Sequence, residues 1–400
     1  MINLLNSRYF YFIFPIYFSL TLILIFYNVP NGFHASLISL FIVITPVVFL
    51  SEFIYPGRLE IDKSYQYLIK NEKYKIVMIM LSCIVLLSGP IDVYINGFKP
   101  LDPLSYAEFS GVGRYIRHIS ISCWILIPIS YIFIKNLNIR RALIVYAVVF
   151  PMIILDRNRL LMSFYTLIFC IFNGLNSCAE GSETSRRGAG YFYLIALGFI
   201  LAFSLLGLYR SGDVFLVESS GEHLEFGALP LSTTFYKLPE LLQQVVLYIT
   251  TPIFNFSTIV YFDFLNDIFL LSQFSPFGRD LYDVYPDAPV MVDRFNVGTE
   301  FYPWLLYAGL PAVVGSFAFM LFFFFGSVHL LKRCPNIFTL IIFLRISYTV
   351  LFMGFAPQFY ILLNFAFISL MLGIWGGVEV LKVALGWSAG TNEQVICGKS

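Results

Sequence analysis

Stretches of about twenty residues almost free of charge recur along this chain, separated by polar breaks. They fall at 9–27, 34–54, 76–95, 116–134, 139–155, 160–175, 191–209, 301–330, 337–355 and 358–380. A run of that length, wound as a helix, matches the thickness of bilayer hydrocarbon. A helix also satisfies its own backbone hydrogen bonds where no water can do so. The pattern predicts an all-α polytopic membrane protein with about ten transmembrane helices.

Composition strengthens this reading. Hydrophobic residues make up 58% of the 400 positions and charged residues 12%, against about 45–50% and about 25% in soluble domains. The 18% aromatic content, led by 44 Phe, suits lipid-facing and interfacial surfaces. The first run, 9–27, is too long for a signal-peptide core and lacks a small-residue cleavage site, so it is expected to remain as an anchor. A net charge of +1 argues for no particular partner, and no nucleic-acid partner is expected. The six cysteines show neither zinc nor redox spacing, and no metal or other cofactor is called for.

Orientation follows from the basic residues of the short loops. Arg58, Lys63, Lys70, Lys73 and Lys75, then Lys135, Arg140 and Arg141, then Arg186 and Arg187, then Lys332, Arg333 and Lys382 fall on one side if the chain starts inside and crosses ten times. Both termini are then cytoplasmic. The chain divides into seven N-terminal spans (1–209), a large outward loop (210–300), three C-terminal spans (301–387) and a polar tail (388–400). The loop carries twelve of the chain's 24 acidic residues and four Arg or Lys. Its length predicts structure of its own. The apolar segment 241–264 reads as a re-entrant or interfacial helix, with an eleventh span as the alternative.

No phosphate loop, HExxH or GxSxG motif is present, so chemistry is sought among charges near the outer face. The turn Asp156-Arg157-Asn158-Arg159 joins two apolar runs with almost no loop. Its two guanidiniums suit a phosphate or diphosphate; the plainer reading is that they anchor helix ends. Arg210 lies at the same level. Arg345 sits in the middle of an apolar run, where a charge is costly and marks a pathway or a partner. Asp293, Arg294, Asn296, Thr299 and Glu300 cluster where the chain re-enters the bilayer, suited to a hydroxyl-rich ligand or to capping the helix that follows. His223 is flanked by Glu222 and Glu225. His34, His118 and His329 read as interfacial.

Taken together the chain resembles the O-antigen polymerases (Wzy), the repeat-unit polymerases of bacterial surface polysaccharides. The likeness covers the topology of nearly the whole chain. At residue level it rests on Asn296 to Tyr302 followed by Leu306 to Pro311, on Arg157 and Arg159, and on Arg210. Where that family often has Asp-(Phe/Tyr)-Gly, this chain reads Tyr307-Ala308-Gly309. The resemblance implies a glycosyltransferase of the bacterial inner membrane, working in lipopolysaccharide biosynthesis. It would move a growing glycan from undecaprenyl diphosphate onto a new lipid-linked repeat unit at the periplasmic face. The loop 210–300 would then be periplasmic, no nucleotide would be needed, and a chain-length regulator would be a partner. It also implies diphosphate binding by Arg157, Arg159, Arg210 and Arg345. The general base would come from Glu218, Glu222, His223, Asp293 and Glu300, and sugar binding from Arg279, Arg294, Asn296 and Thr299. The alternatives are an O-antigen ligase, or a flippase or transporter of the lipid-linked unit.

Overall fold

The computed structural model describes residues 7–55, 74–103, 105, 111–172, 197–209, 229–274 and 298–384. The described residues are helical, apart from links and one isolated bridge between Tyr27 and Leu231. Helices α1 (Arg8–Phe12), α2 (Phe14–Phe26), α3 (His34–Leu37) and α4 (Ser39–Ile54) open the chain. They are followed by α5 (Lys75–Asn96), α6 (Gly111–Ser120), a 3-10 segment (Ile121–Ile125), α7 (Leu126–Phe133), α8 (Leu137–Ile153) and α9 (Arg157–Phe172). After α10 (Leu197–Tyr209) come α11 (Thr233–Tyr236), α12 (Glu240–Phe262), α13 (Ile268–Phe274), α14 (Tyr302–Arg333), α15 (Ile337–Leu351) and α16 (Leu362–Ala384).

Six stretches among the described residues are long and apolar enough to cross a membrane: His34–Ile54, Lys75–Leu101, Gly111–Phe133, Glu240–Phe262, Tyr302–Arg333 and Leu362–Ala384. Helical geometry is interrupted within several of the apolar runs, for local reasons. Pro15 stands in the first turn of α2 and brings no N–H, so the first run breaks at Ile13 into α1 and α2. In the fourth run, α6 tightens into the 3-10 segment before α7 resumes. Within α14, Ala308 and Gly309 leave helical geometry (Gly309 φ 70°), and Pro311 follows. The freed carbonyl of Leu306 accepts the N–H of Asn266, 2.8 Å away.

Helix α12 differs from the interfacial reading of 241–264. Every residue from Thr250 to Ile259 is buried, whereas a helix lying in an interface buries one face only. It packs on α2, α3, α4 and α14. Ser19 in the middle of α2 donates to the Ile249 carbonyl (2.8 Å), and Tyr27 pairs with Thr250 (2.7 Å). The buried hydroxyls of Thr250, Ser257 and Thr258 donate to carbonyls one turn back in α12 itself.

Helix α15 is almost wholly enclosed, with Ile337 to Val350 all buried against α1, α9, α14 and α16. Asn336 caps its start reciprocally with Thr339. Basic side chains gather at one end of the bundle. Arg8 donates to Ser51 (3.0 Å) and to the Tyr55 carbonyl (2.7 Å), Lys332 lies over the Tyr55 ring, and Lys382 lies over Tyr74.

Candidate functional site

The site begins at the turn between α8 and α9. Leu155 takes a left-handed conformation (φ 55°) that stops α8, and the Asp156 carboxylate accepts the N–H of Arg159 (3.0 Å) to start α9. Residues two apart on a helix do not share a face, so Arg157 and Arg159 part company here. Arg157 lies between Phe203 and Tyr248, 5.5 and 5.1 Å from the ring centres, and its Nε has no hydrogen-bond partner among the described residues. Arg159 is buried on the opposite side, facing α15 and α16.

Arg159 and Arg345 line one cavity of about 220 Å³. Its other walls are mostly apolar and come from α5, α6, the 3-10 segment and α16. Arg345 is 4% exposed; its Nε donates to Asn364 Oδ1 (2.8 Å) and its Nη1 lies 3.2 Å from the Met162 sulfur. No carboxylate among the described residues pairs with it. Among the described residues Arg159 has one ion pair, with Asp156 at 3.9 Å, longer than a hydrogen bond, and the other oxygen of Asp156 already caps α9. The cavity therefore holds more positive charge than its lining neutralises.

Both arginines are positioned by the link between α15 and α16 and by the first turn of α16. Gln358 Oε1 accepts from Arg159 Nη1 (3.3 Å), and Asn364 serves Arg345 while its Nδ2 donates to the Phe359 carbonyl (3.1 Å). Glu300 holds that link in place. Its fully buried carboxylate accepts the backbone N–H groups of Gln358, Phe359 (2.7 Å) and Tyr360 (2.8 Å). The Glu300 N–H donates to the Met353 carbonyl at 2.7 Å. Both oxygens of this carboxylate anchor backbone.

Of the residues picked out from sequence, Arg159 and Arg345 are brought together, with Glu300 behind them, while Arg157 occupies a separate aromatic niche. Thr299 is fully buried beside Glu300, and its hydroxyl has no partner among the described residues. Arg210, Glu218, Glu222, His223, Arg279, Asp293, Arg294 and Asn296 lie outside the described residues.

Sequence reasoning passed over several residues that matter here. His118 lines the cavity. Gln358 and Asn364 carried no signal of their own. Asp92 and Arg117 form a buried pair (2.8 Å) on α5 and α6, joined by Ser120 and by Asn96, whose Nδ2 is 2.6 Å from Asp92. One charge in each of two successive apolar runs was the available clue. Among the described residues, no three His, Cys, Asp or Glu side chains gather as a metal site would require.

Fold and site together define an all-α chain of membrane-spanning character, with a cationic centre at the head of an apolar cavity. Compared with protein-family models, curated proteins and solved structures, the chain matches none.

Proposed function

We propose that this chain is a membrane glycosyltransferase that polymerises undecaprenyl-diphosphate-linked oligosaccharide repeat units at the outer face of a bacterial inner membrane. The observation that carries the reading is the sharing of one apolar cavity by Arg159 and Arg345. A buried guanidinium without a carboxylate is costly to maintain, and an anionic head group removes that cost when it binds. A diphosphate leaving group gains charge as its bond to the sugar breaks. Fixed cations in a water-poor site stabilise that charge without having to reorganise. The apolar walls suit a ligand whose anionic group is attached to hydrocarbon.

In the proposed reaction a sugar hydroxyl on the incoming unit attacks the anomeric carbon of the growing glycan. The new C–O bond forms as the bond to the lipid diphosphate breaks, and a base takes the hydroxyl proton. The anchoring role of Glu300 leaves Glu218, Glu222, His223 and Asp293 from the outward loop as bases, and His118 on the cavity wall joins them. Ten crossings with both ends inside remain the proposed topology. It is supported by the gathering of Arg8, Lys332 and Lys382 at one end of the bundle.

A host strain lacking the gene, compared with its complemented twin on a lipopolysaccharide gel, tests the reading. A ladder that collapses to core plus one repeat unit supports polymerisation. Loss of every repeat unit from the core would instead favour the ligase or the flippase.

A further inference from the structure

The cavity below Arg159 and Arg345 lies between two walls of different character. One is the well-packed pair α5 and α6 with the 3-10 segment, contributing Leu81, Val85, Ile121 and Trp124. The other is α16, which packs on α15 but whose most apolar stretch is only 11% buried. Leu363, Phe367 and Leu370 recur on α16 at the spacing that forms a stripe along one face, and Leu370 is 56% exposed. The stripe, carried on to Met371, extends about 12 Å along the helix. The rings of Trp124 and Phe367 meet across the cleft, 5.6 Å apart. At the far end Tyr74 donates to Glu379 of α16. One end of the cleft is thus cationic and buried, its length is apolar, and its α16 side is open to the surroundings.

We propose that this cleft between α5 and α16 seats the isoprenoid tail of a lipid phosphate, entered sideways from the bilayer past Phe367, with the head group on Arg159 and Arg345. The inference rests on the lipid-diphosphate reading above and adds that the protein grips the tail as well as the head. Free phosphate would leave eleven apolar side chains of the lining uncovered. A neutral lipid would leave the two guanidiniums unneutralised. An amphiphile with an anionic head answers both. Because lipid chains are as apolar as the cleft, moving a tail between them gains little hydrophobic energy. The cleft acts by fixing the direction in which the tail leaves the head group, and hence the angle at which the diphosphate is presented.

The test uses the full-length protein in lipid nanodiscs and an undecaprenyl phosphate analogue carrying a diazirine in its head-proximal isoprene units. Illumination is expected to label residues 363–371 and 81–85, with Leu370→Trp or Ala366→Trp reducing the label at least fivefold. Both positions face outward, so the fold is expected to survive, and thermal melting of each variant confirms it. Label spread over other lipid-facing helices such as α2 and α4, unchanged by either tryptophan, would overturn the tail seat. The matching polyprenol, without phosphate, separates the two ideas. Labelling reduced at least tenfold supports head and tail together. Equal labelling from alcohol and phosphate keeps the tail seat and overturns the head-group reading on which the proposed function rests.

Discussion

The carboxylate of Glu300 accepts the backbone N–H of Gln358, and the Gln358 side chain accepts in turn from Arg159. Fifty-eight positions separate the two residues in sequence. The contact ties the start of α14 to the link that carries Gln358, the partner of Arg159, and Phe359, whose carbonyl holds Asn364, the partner of Arg345. Glu300 is therefore a positioning residue, and Glu300→Gln separates that role from general-base catalysis. Gln keeps one acceptor oxygen but points an NH₂ group at backbone donors. Hydrogen bonds to charged groups contribute about 1.5–3 kcal/mol each, so melting temperature and activity are expected to fall together. Lost turnover at an unchanged melting temperature would mean that the carboxylate does chemistry.

Arg345→Met is expected to do the opposite. Methionine has similar reach and no charge, and it replaces a buried guanidinium that no carboxylate among the described residues pairs with. Replacing buried charge by apolar residues is often neutral or stabilising by about 1–4 kcal/mol. The variant should melt at or above the wild-type temperature while losing polymer. A clear drop in melting temperature would show that Arg345 is retained for the fold.

Arg157 and Arg159 are expected to diverge although only Asn158 stands between them. Arg159→Ala should abolish polymer, and Arg159→Lys should restore it only partly, since lysine cannot offer a forked pair of donors. Arg157→Ala removes stacking on Phe203 and Tyr248, about 0.5–2 kcal/mol, and should lower stability before it lowers turnover. Polymer ladders and thermal melts on the same preparations compare them directly. Equal loss of activity at equal stability would place Arg157 on the substrate.

Asp92→Ala should be severely destabilising. It removes the buried carboxylate paired with Arg117, and breaking such pairs costs about 3–5 kcal/mol. The double variant Asp92→Leu with Arg117→Met should recover much of the loss. A thermal-melt cycle of the two single variants and the double reads the coupling; additive losses would remove the pair from the account.

The helices could be read from runs of apolar residues because hydrocarbon imposes length and polarity directly on the sequence. Breaks inside them were harder to see. Pro15 and Gly309 disrupt helices, whereas Pro46, Pro90 and Pro252 sit inside continuous ones, and tertiary packing decides which outcome holds. Arg345 stood out because a lone charge in an apolar run has few explanations. Its partnership with Arg159 did not, since it depends on α9 and α15 packing side by side. Adjacency likewise suggested that Arg157 and Arg159 act together, but helical geometry turns them apart. Gln358 and Asn364 were silent because an amide carries no charge to betray its burial.

The fifteen residues of α15 rise only about 22 Å, whereas bilayer hydrocarbon is about 30 Å thick. If Asn336 stands at one interface, as the proposed topology has it, α15 ends several ångströms short of the other. In the proposed reaction, a head group reaching Arg159 and Arg345 would then sink below the plane of its neighbours. Because α15 is enclosed by other helices, the shortfall is a recess within the protein, and the sugars of the proposed substrate would descend into it to react. Bilayer thickness becomes a control on turnover: thinner membranes should bring the head group to the arginines at lower cost.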